Sequence, residues 1–335
     1  MKILKRAIIL SMLLGSSIVS VTAHADNRIR ILSPTWSGFA PVFVAQDLGY
    51  FKALGIDVNL KFDDERSNVM AAMDRGDIEM DMRTIGEYQG RPRSDSTPGV
   101  VIGVIDQSVG GDGVIVDGSI KSVADLKGKT IASEPNEPGR LLLQLELKKA
   151  GLTLSDLKLK EIATADSVAV FADRSIAGLV TFQPFLSQTL KDDSARAPKL
   201  LISSRMRPGL IVDSIIVRQD ELKKNPDKYR KFLIGMYKAI HYYETNPADF
   251  IKLAAPHFKL STNEFKSTID DSLEYTSYKQ AVGYFGTASA PGPVFQTFDT
   301  LMGLNLENGA ADHHLSAAKS IDPSIIRSIS ASDVQ

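Results

Sequence analysis

The chain has 335 residues, with 39 lysines and arginines against 40 aspartates and glutamates, and it contains no cysteine. The nearly balanced charge argues against a nucleic-acid partner, because nucleic-acid-binding proteins present strongly basic faces. Without cysteine, a disulfide framework, a thiolate metal site, a cysteine nucleophile and a lipid-anchored cysteine are all excluded. The length predicts about two domains.

The first 25 residues have the pattern of a secretory signal peptide. Three cations precede an apolar stretch from Ala7 to about Val21, and Ala23-x-Ala25 follows as a small-x-small cleavage site. A membrane anchor is the alternative, but the stretch is shorter than the roughly 20 residues that span a bilayer. Cleavage after Ala25 would change the net charge from −1 to −4. We therefore expect a soluble protein that is exported to the periplasm.

The segment after the signal alternates predicted strands and helices. "RIRILSP" is a strand, and the spacing of apolar residues in "PVFVAQDLGYFKALG" predicts one helix that Gly55 ends. "IDVNLKF" is a strand, Ser67 is expected to cap the helix "SNVMAAMDRG", and "DIEMDM" is a further strand. "GVVIGVID" has the continuous apolar pattern of a strand buried on both faces. This alternation indicates βαβ units and a mainly parallel, doubly wound sheet.

A second α/β series follows the glycine-rich turn "DQSVGGDGVIV". Its predicted strands are "GVIVDG", "KTIAS", "LKLKEIA", "IAGLVTF", "PKLLISS" and "LIVDSIIVR", and "GRLLLQLELKKAG" is a helix with leucines on one side. From Asp220 onward the chain is predicted to be largely helical. The pattern as a whole predicts an α/β fold.

The two series predict two lobes. Residues 26–113 and 216–335 would form lobe 1, and residues 114–215 would form lobe 2. The chain would cross between them in β-like segments near 112–117 and 211–217, which together make a two-strand hinge. A cleft between lobes is a preferred ligand site, and the carboxyl ends of parallel strands point into it.

Two carboxylates and one aromatic residue are placed to reach that cleft. Asp106 follows the apolar run "VVIGVI", and Asp213 interrupts "GLIVDSIIV", where a buried charge needs a partner. The alternatives to ligand contact are an Asx turn for Asp106 and an internal cation for Asp213. Trp36, the single tryptophan, lies in a strand-to-helix loop that favours the cleft wall. Asp112 is predicted to hold the glycine turn.

The loop "ASEPNEPGRLLLQLE" offers a second kind of site. It starts a strong helix whose first backbone N–H groups, near Arg140, are unpaired and carry the positive end of the helix dipole. An anion could bind there, with Ser133, Asn136 and Arg140 as added donors. Alternatively, Glu134 and Glu137 cap the helix, and the pattern alone favours the cap.

Catalytic motifs are missing from the sequence. None of the five histidines stands at the spacing of a Gly-x-Ser-x-Gly elbow or a His-Glu-x-x-His helix. "VGGDGV" has neither the Lys-Ser/Thr sequel of a Walker loop nor the spaced glycines of a dinucleotide fingerprint. The sequence therefore predicts that the protein is not an enzyme, and it predicts no cofactor and no metal.

Several segments in order resemble one family. "SPTWSGFAPVFVAQDLGYFKALGIDVNLKF", "AAMDRGDIEMDM", "SVGGDGVIV", "IKSVADLKGKTIA", "LLLQLELKKAGL" and "TFQPFLSQ" are similar to periplasmic solute-binding proteins of ABC importers, in the subgroup that includes taurine, aliphatic-sulfonate, nitrate and thiamine-precursor binders. The resemblance implies a type II periplasmic-binding fold and a monomer. It also implies a small solute that is captured by lobe closure and delivered to a permease and ATPase complex in the inner membrane.

The resemblance also implies which residues line the cleft: Trp36, Gly38, Phe39, Thr84, Glu87, Asp106, Ser108, Gly110, Ser133, Asn136, Arg140, Gln183 and Asp213. This chain departs from the family at the rim, with "FQPF" where relatives commonly have Trp-Glu-Pro-Trp and with Ala177 where an acidic residue is usual. The ligand class stays open. The two aspartates favour an amine, amidine or other N–H donor, the helix start favours an anion, and both together suggest a small zwitterion such as an aminosulfonate.

Two other functions fit the same fold. One is an enzyme of the thiamine-precursor synthase branch, although those cytosolic relatives rely on cysteine- and histidine-rich sites and this chain has an export signal and no cysteine. The other is an exported sensor subunit that presents its ligand to a membrane receptor.

Overall fold

The computed structural model describes residues 27–90, 93, 99–191, 196–287 and 289–335. The expected signal peptide, residues 1–25, lies outside the described residues. Among the residues described, no helix is both long and apolar enough to cross a membrane.

Strands in the described part of the chain form two sheets. Their bounds are β1 Arg28–Ser33, β2 Asp57–Phe62, β3 Met80–Thr84, β4 Val100–Ser108, β5 Asp112–Val116, β6 Thr130–Ser133, β7 Lys158–Glu161, β8 Gly178–Phe182, β9 Lys199–Ser203, β10 Val212–Val217 and β11 Leu273–Tyr275.

Helices cover both sheets. Their bounds are α1 Ala40–Asp47, α2 Tyr50–Ala53, α3 Arg66–Arg75, α4 Ile85–Tyr88, α5 Pro138–Lys149, α6 Ser167–Phe171, α7 Phe185–Leu190, α8 Gln219–Lys224, α9 Pro226–Thr245, α10 Pro247–Ala254, α11 Thr262–Ser272, α12 Tyr278–Phe285, α13 Pro293–Glu307, α14 Ala317–Ser320 and α15 Ser324–Arg327. From α8 onward the described elements are helices apart from β11, in line with the expectation of a largely helical segment.

The first sheet has the strand order β11-β4-β10-β3-β1-β2. Strand β1 runs parallel to β2 and β3, whereas β10 is antiparallel to both β3 and β4. The expectation of a mainly parallel sheet is therefore wrong in part. The strand β10 enters the sheet from the opposite end, because the chain has just returned from the second sheet.

The second sheet has the order β7-β6-β8-β5-β9. Strand β6 is parallel to β7 and β8, and β5 is antiparallel to β8 and β9. The reason is the same, since β5 starts at the end where β8 finishes. We call the first sheet with its helices lobe 1 and the second sheet with its helices lobe 2.

The chain passes between the sheets in two short segments, residues 109–111 and 204–211. The segments 112–117 and 211–217, expected as the hinge, are instead mostly sheet: β5 and β10 each pair on both sides inside one sheet. Their long apolar runs reflect this burial. The crossings lie just before each run.

Two local expectations are also corrected. The single helix predicted from Val42 to Leu54 is broken into α1 and α2 by Gly49, whose φ of 73° is the left-handed conformation that glycine adopts readily. The cap of α3 is Glu65 and not Ser67, because the Glu65 carboxylate accepts hydrogen bonds from both the backbone N–H and the hydroxyl of Ser67.

Each sheet has its own apolar core. The larger core lies on both faces of the first sheet, where α9 packs against α1 and buries Phe232, Leu233 and Met236. The second sheet buries leucines of α5, including Leu142 and Leu143, against β5 and β8. The strand ends that these cores hold in place meet in the space between the lobes.

Candidate functional site: a carboxyl-lined cleft between the lobes

A cleft between the lobes contains two neighbouring cavities. The inner cavity has a volume of about 30 Å³ and the outer one of about 230 Å³, and their walls share Pro34, Glu87 and Phe182. Lobe 1 and lobe 2 both contribute walls to each cavity. The cleft is therefore the place where a change in lobe spacing would enclose or release a ligand.

The neighbouring ends of three strands place polar side chains of lobe 1 at the inner cavity. In the register of the sheet, Asp213 of β10 pairs with Thr84 at the end of β3 on one side and with Asp106 near the end of β4 on the other. A bulge at Ile105 interrupts the pairing of β4 and β10 beside Asp106, and bulges of this kind commonly redirect side chains at functional sites. Because β10 is antiparallel to β3 and β4, its first residues lie beside the last residues of those two strands.

Asp106 is held by Trp36. The indole Nε1 of Trp36 donates a hydrogen bond to Asp106 Oδ1 at 3.1 Å. A Cβ on Gly38 would lie 2.1 Å from Asp106 Oδ2 and 2.3 Å from Trp36 Nε1, so only glycine leaves room for this pair. Tyr275 closes the same region, with its hydroxyl donating to the Ser37 carbonyl at 2.9 Å.

Lobe 2 contributes two further buried carboxyl groups. Asp112 is the first residue of β5 and lines the inner cavity, and Glu137 stands immediately before α5 and lines the outer cavity. Neither carboxyl oxygen of Glu137 accepts a hydrogen bond of normal geometry, although the residue is only 1% exposed. The expected capping role is therefore wrong: Glu137 does not cap α5, and the Glu134 carboxylate instead accepts from the Thr164 hydroxyl at 2.6 Å.

Burial raises the pKa of all four carboxyl groups, because an ion is poorly solvated inside the protein. We call Asp106, Asp112, Asp213 and Glu137 the carboxyl cluster. The pKa of Asp106 and that of Asp112 are each raised to about 7. The pKa of Asp213 is raised well above its ordinary value by burial and then by the charge of Asp106, and that of Glu137 by burial and then by the charge of Asp112. The four groups therefore act on one another electrostatically.

Contacts across the cleft connect the two lobes. Asn136 of lobe 2 donates its side-chain amide to the Glu87 carbonyl of lobe 1 at 3.1 Å. Arg66 of lobe 1 donates to the Asn136 carbonyl at 2.9 Å and pairs with the Glu87 carboxylate at 2.7 Å. Glu87 also forms a capping box with Thr84 at the start of α4. The structure therefore has the lobes in contact.

Six of the thirteen expected site residues surround the inner cavity. Four of them line it directly: Trp36, Thr84, Glu87 and Asp213. The other two, Gly38 and Asp106, lie immediately behind its wall. The alternative for Asp213 was pairing with an internal cation. No lysine, arginine or histidine of the described chain lines the inner cavity.

Three expected residues of lobe 1 and its crossing do not line either cavity. Phe39 is fully buried in the core of lobe 1. The Ser108 hydroxyl shares a hydrogen bond with Ser204, and the Gly110 N–H donates to the same Ser204 oxygen at 2.7 Å. Gly110 has a φ of 115°, so its role is the tight turn out of lobe 1.

Four expected residues of lobe 2 also lie outside the cavity walls. Ser133 donates to the Glu134 carbonyl, Arg140 has a buried guanidinium that reaches the same carbonyl, and Gln183 hydrogen-bonds to Ser187. Asn136 makes the contact with lobe 1 described above. These side chains organise the loops around the cleft.

Sequence reasoning missed several wall residues. Asp112 was expected to hold the turn, yet it lines the inner cavity together with Phe182. Glu137, Arg66 and Arg83 line the outer cavity. Glu137 could have been found from its position next to Pro138 at the helix start, but Arg66 and Arg83 have no motif around them.

A larger cavity, of about 620 Å³, lies near Val100 and Gln219 at the opposite ends of β4 and β10. All residues that line it belong to lobe 1, so lobe closure could not enclose a ligand there. The cleft is therefore the better candidate.

Solved structures define the class of fold. The periplasmic aliphatic sulphonate-binding protein SsuA from Escherichia coli superposes with a TM-score of 0.70 at 17% identity, covering 89% of this chain and 93% of that one. The periplasmic nitrate-binding protein NrtA from Synechocystis PCC 6803 gives a TM-score of 0.67 at 12% identity, covering 92% and 87%. The expected two-lobe periplasmic-binding-protein fold is confirmed.

The family follows from the sequence comparison. The family model described as NMT1/THI5 like matches residues 36–250, more than half of the chain, and the protein therefore belongs to the NMT1/THI5-like family. A Brucella abortus protein that carries the name of a binding protein is 24% identical over 278 residues, 82% of this chain and 85% of that protein. A 4-amino-5-hydroxymethyl-2-methylpyrimidine phosphate synthase of Saccharomyces cerevisiae is 24% identical over 261 residues, 74% and 73% of the two chains.

Proposed function

We propose that the protein is the extracytoplasmic substrate-binding subunit of an ABC-type importer. It captures a small organic solute between its lobes and delivers it to a permease and ATPase complex. The observation that carries this proposal is the cleft itself: buried, ionisable side chains from both lobes face connected cavities that a lobe movement would open. The two-lobe fold and the family support it.

Capture follows from contacts made with both lobes at once. A ligand that touches Asp213 of lobe 1 and Glu137 of lobe 2 stabilises the closed arrangement more than the open one, so it shifts the population towards closure. The contacts of Asn136 with Glu87 and Arg66 add to the closed state alone. The closed form is then the one that the permease recognises.

The location of the protein follows from the same proposal. A substrate-binding subunit works outside the cytoplasmic membrane, and the signal pattern of residues 1–25 would take it there. The mature chain would start at Asp26 and act as a monomer.

The alternative role as a synthase is supported by the yeast relatives but not by the chemistry of the cleft. Neither cavity wall in the described structure contains a histidine, and the whole chain lacks cysteine. The ionisable groups present are carboxyl and guanidinium groups, which can hold a ligand by charge and hydrogen bonds. We therefore propose a binding role without catalysis.

Native mass spectrometry of the freshly purified protein, combined with Trp36 fluorescence, tests this function. Because Trp36 is the only tryptophan and lines the inner cavity, its emission should change when a solute binds. We expect one small molecule per chain, released on unfolding and taken up again after refolding, with a rise in Tm at saturating ligand. A protein that carries no solute and responds to none from the culture medium or a cell extract would contradict the proposal.

A further inference from the structure

We propose that the cleft selects an organic cation with N–H donors, an ammonium or amidinium group, and rejects oxyanions such as sulfonate and nitrate. This inference rests on the proposed function, because it concerns the ligand of the same cleft. It separates this chain from the two structural neighbours, whose names give sulfonate and nitrate as their ligands.

The ionisable groups around the inner cavity are all acidic. Its charged wall residues are Glu87, Asp112 and Asp213, and no lysine, arginine or histidine of the described chain lines it. Asp106 lies directly behind, paired in register with Asp213. An oxyanion placed here would face three carboxyl groups without a cationic partner, whereas an ammonium group would supply the N–H donors that these oxygens need.

The start of α5, where an anion could sit on the helix dipole, is already occupied by a carboxyl group. Glu137 immediately precedes the helix and is 1% exposed, and neither of its oxygens accepts a hydrogen bond of normal geometry. A buried acceptor of this kind is costly unless a donor reaches it. A ligand carrying N–H groups can donate to Glu137, whereas a sulfonate or nitrate ion has no donor to offer it.

The two arginines of the outer cavity are each engaged by a carboxylate of the protein. Arg66 pairs with Glu87 and with the Asn136 carbonyl, and Arg83 pairs with the buried Asp81. Acidic residues outnumber arginines in that wall: Asp63, Asp64, Glu65, Glu87, Glu134 and Glu137 stand against two guanidinium groups. The outer cavity is therefore negative as well.

The aromatic residues and the cavity sizes fit the same class. Trp36 and Phe182 meet edge to face with ring centroids 6.4 Å apart beside the inner cavity, and aromatic faces attract cations. A volume of about 30 Å³ has room for a head group of about two or three heavy atoms. The carbon body of the ligand would then occupy the outer cavity beside Phe185.

A metal ion is the other cation that carboxyl groups can hold. Among the described residues, no group of three or more histidine, cysteine, aspartate or glutamate side chains is arranged to bind one. The cation of this cleft is therefore organic.

Matched probes on one carbon chain test the charge of the ligand. Wild-type protein, freed of solute by unfolding and refolding, is titrated at pH 8 with butylammonium, butyramidinium, butanesulfonate and butyrate while Trp36 emission is followed. We expect saturable binding of the two cations and none of the two anions. Tighter binding of butanesulfonate than of butylammonium overturns the inference, and so does a lack of response to all four probes.

The outcomes separate this inference from the function on which it rests. Suppose that native mass spectrometry finds a solute that is retained by an anion exchanger and not by a cation exchanger. That result would support the binding function and would refute the inference that the ligand is a cation. A protein that never carries a solute would refute both the binding function and the inference about the charge of its ligand.

Two variants from opposite lobes test the residues. Asp213→Asn and Glu137→Gln keep the size of the side chain. Asp213→Asn should weaken binding of butylammonium, and Glu137→Gln that of 1,4-butanediammonium, whose second ammonium group reaches the outer cavity, each by about a hundredfold, the loss expected for a charged hydrogen bond. Asp173→Asn, on an exposed loop of lobe 2, is the matched control and should bind like the wild type. Unchanged affinity in both cleft variants, with cooperative unfolding retained, overturns the assignment.

Discussion

Burial makes Asp112 a pH-sensitive residue. It lines the inner cavity at 4% exposure, and burial raises its pKa to about 7, against about 3.9 in an unfolded chain. Between these two values the folded state binds more protons than the unfolded one. The free energy of unfolding of the empty protein therefore falls as the pH rises from about 4 to about 7, by up to ~1.4 kcal/mol per pH unit for this group.

Asp112→Asn should remove this loss of stability. We expect the variant without ligand to unfold at a higher Tm than the wild type, with a larger gain at pH 8 than at pH 5, measured by differential scanning calorimetry. Asp106 and Asp213 lie at the same cavity, and their raised pKa values keep a residual slope in the variant. Asp173→Asn is the control. Its effect on the pH dependence of stability should have the opposite sign, because hydrogen bonds from Ser175 lower the pKa of Asp173. A gain that is equal at both pH values would refute the argument.

A single helical turn, Ser37–Phe39, sets the geometry between β1 and α1. It brings the Gly38 backbone against β4, so that the Trp36 indole and the Asp106 carboxyl group meet in front of it. The turn therefore couples the first strand of the chain to the end of the fourth.

Gly38→Ala should disrupt this turn. The new methyl group would overlap both Asp106 Oδ2 and Trp36 Nε1, so we expect a loss of stability of about 1–3 kcal/mol, a shift in Trp36 emission and weaker ligand binding. Urea unfolding followed by circular dichroism gives the free energy. Gly303→Ala in α13 is the control, since a Cβ there meets nothing within 4 Å; it should gain about 0.5–1 kcal/mol. Equal stability of the two variants would contradict the prediction.

The lobes are joined by contacts such as the ion pair of Lys148 with Glu307, and one further contact, that of Asn136, lies beside the cleft. Asn136 donates across the cleft to Glu87, and a Cβ on Gly90 would lie 1.6 Å from the Asn136 amide nitrogen. Asn136 therefore fits into lobe 1 only because residue 90 is glycine. The contact belongs to the whole molecule, since its two partners lie in different lobes.

Asn136→Ala and Gly90→Ala should both favour the open form. We expect dissociation of the ligand to become about tenfold faster, in line with the loss of one or two hydrogen bonds. The radius of gyration in small-angle scattering should also exceed that of the ligand-bound wild type, while each variant unfolds cooperatively. Asn59→Ala, on the exposed face of β2, is the control. Dissociation at the wild-type rate in both variants would remove this contact from the closure mechanism.

The sequence by itself predicted most of the elements and several residues of the cleft wall. Strand and helix patterns predicted most elements because apolar periodicity reports burial directly. Asp213 could be identified because a carboxylate inside an apolar strand is buried and needs a partner. Trp36 could be identified because it lies in the loop that follows the first strand. The resemblance to solute-binding proteins, carried by segments such as "GYFKALGIDV", pointed to the fold that the structure has.

Only the tertiary structure decided how these pieces meet. The direction of β5 and β10 depends on the chain leaving one lobe and returning, which local periodicity does not record. Asp112 and Glu137 became wall residues because two strand ends and a helix start from different lobes converge on one space. Whether a carboxyl group is paired, and therefore whether the cleft attracts a cation or an anion, depends on such long-range neighbours, since burial and charge are properties of the assembled site and not of the residue.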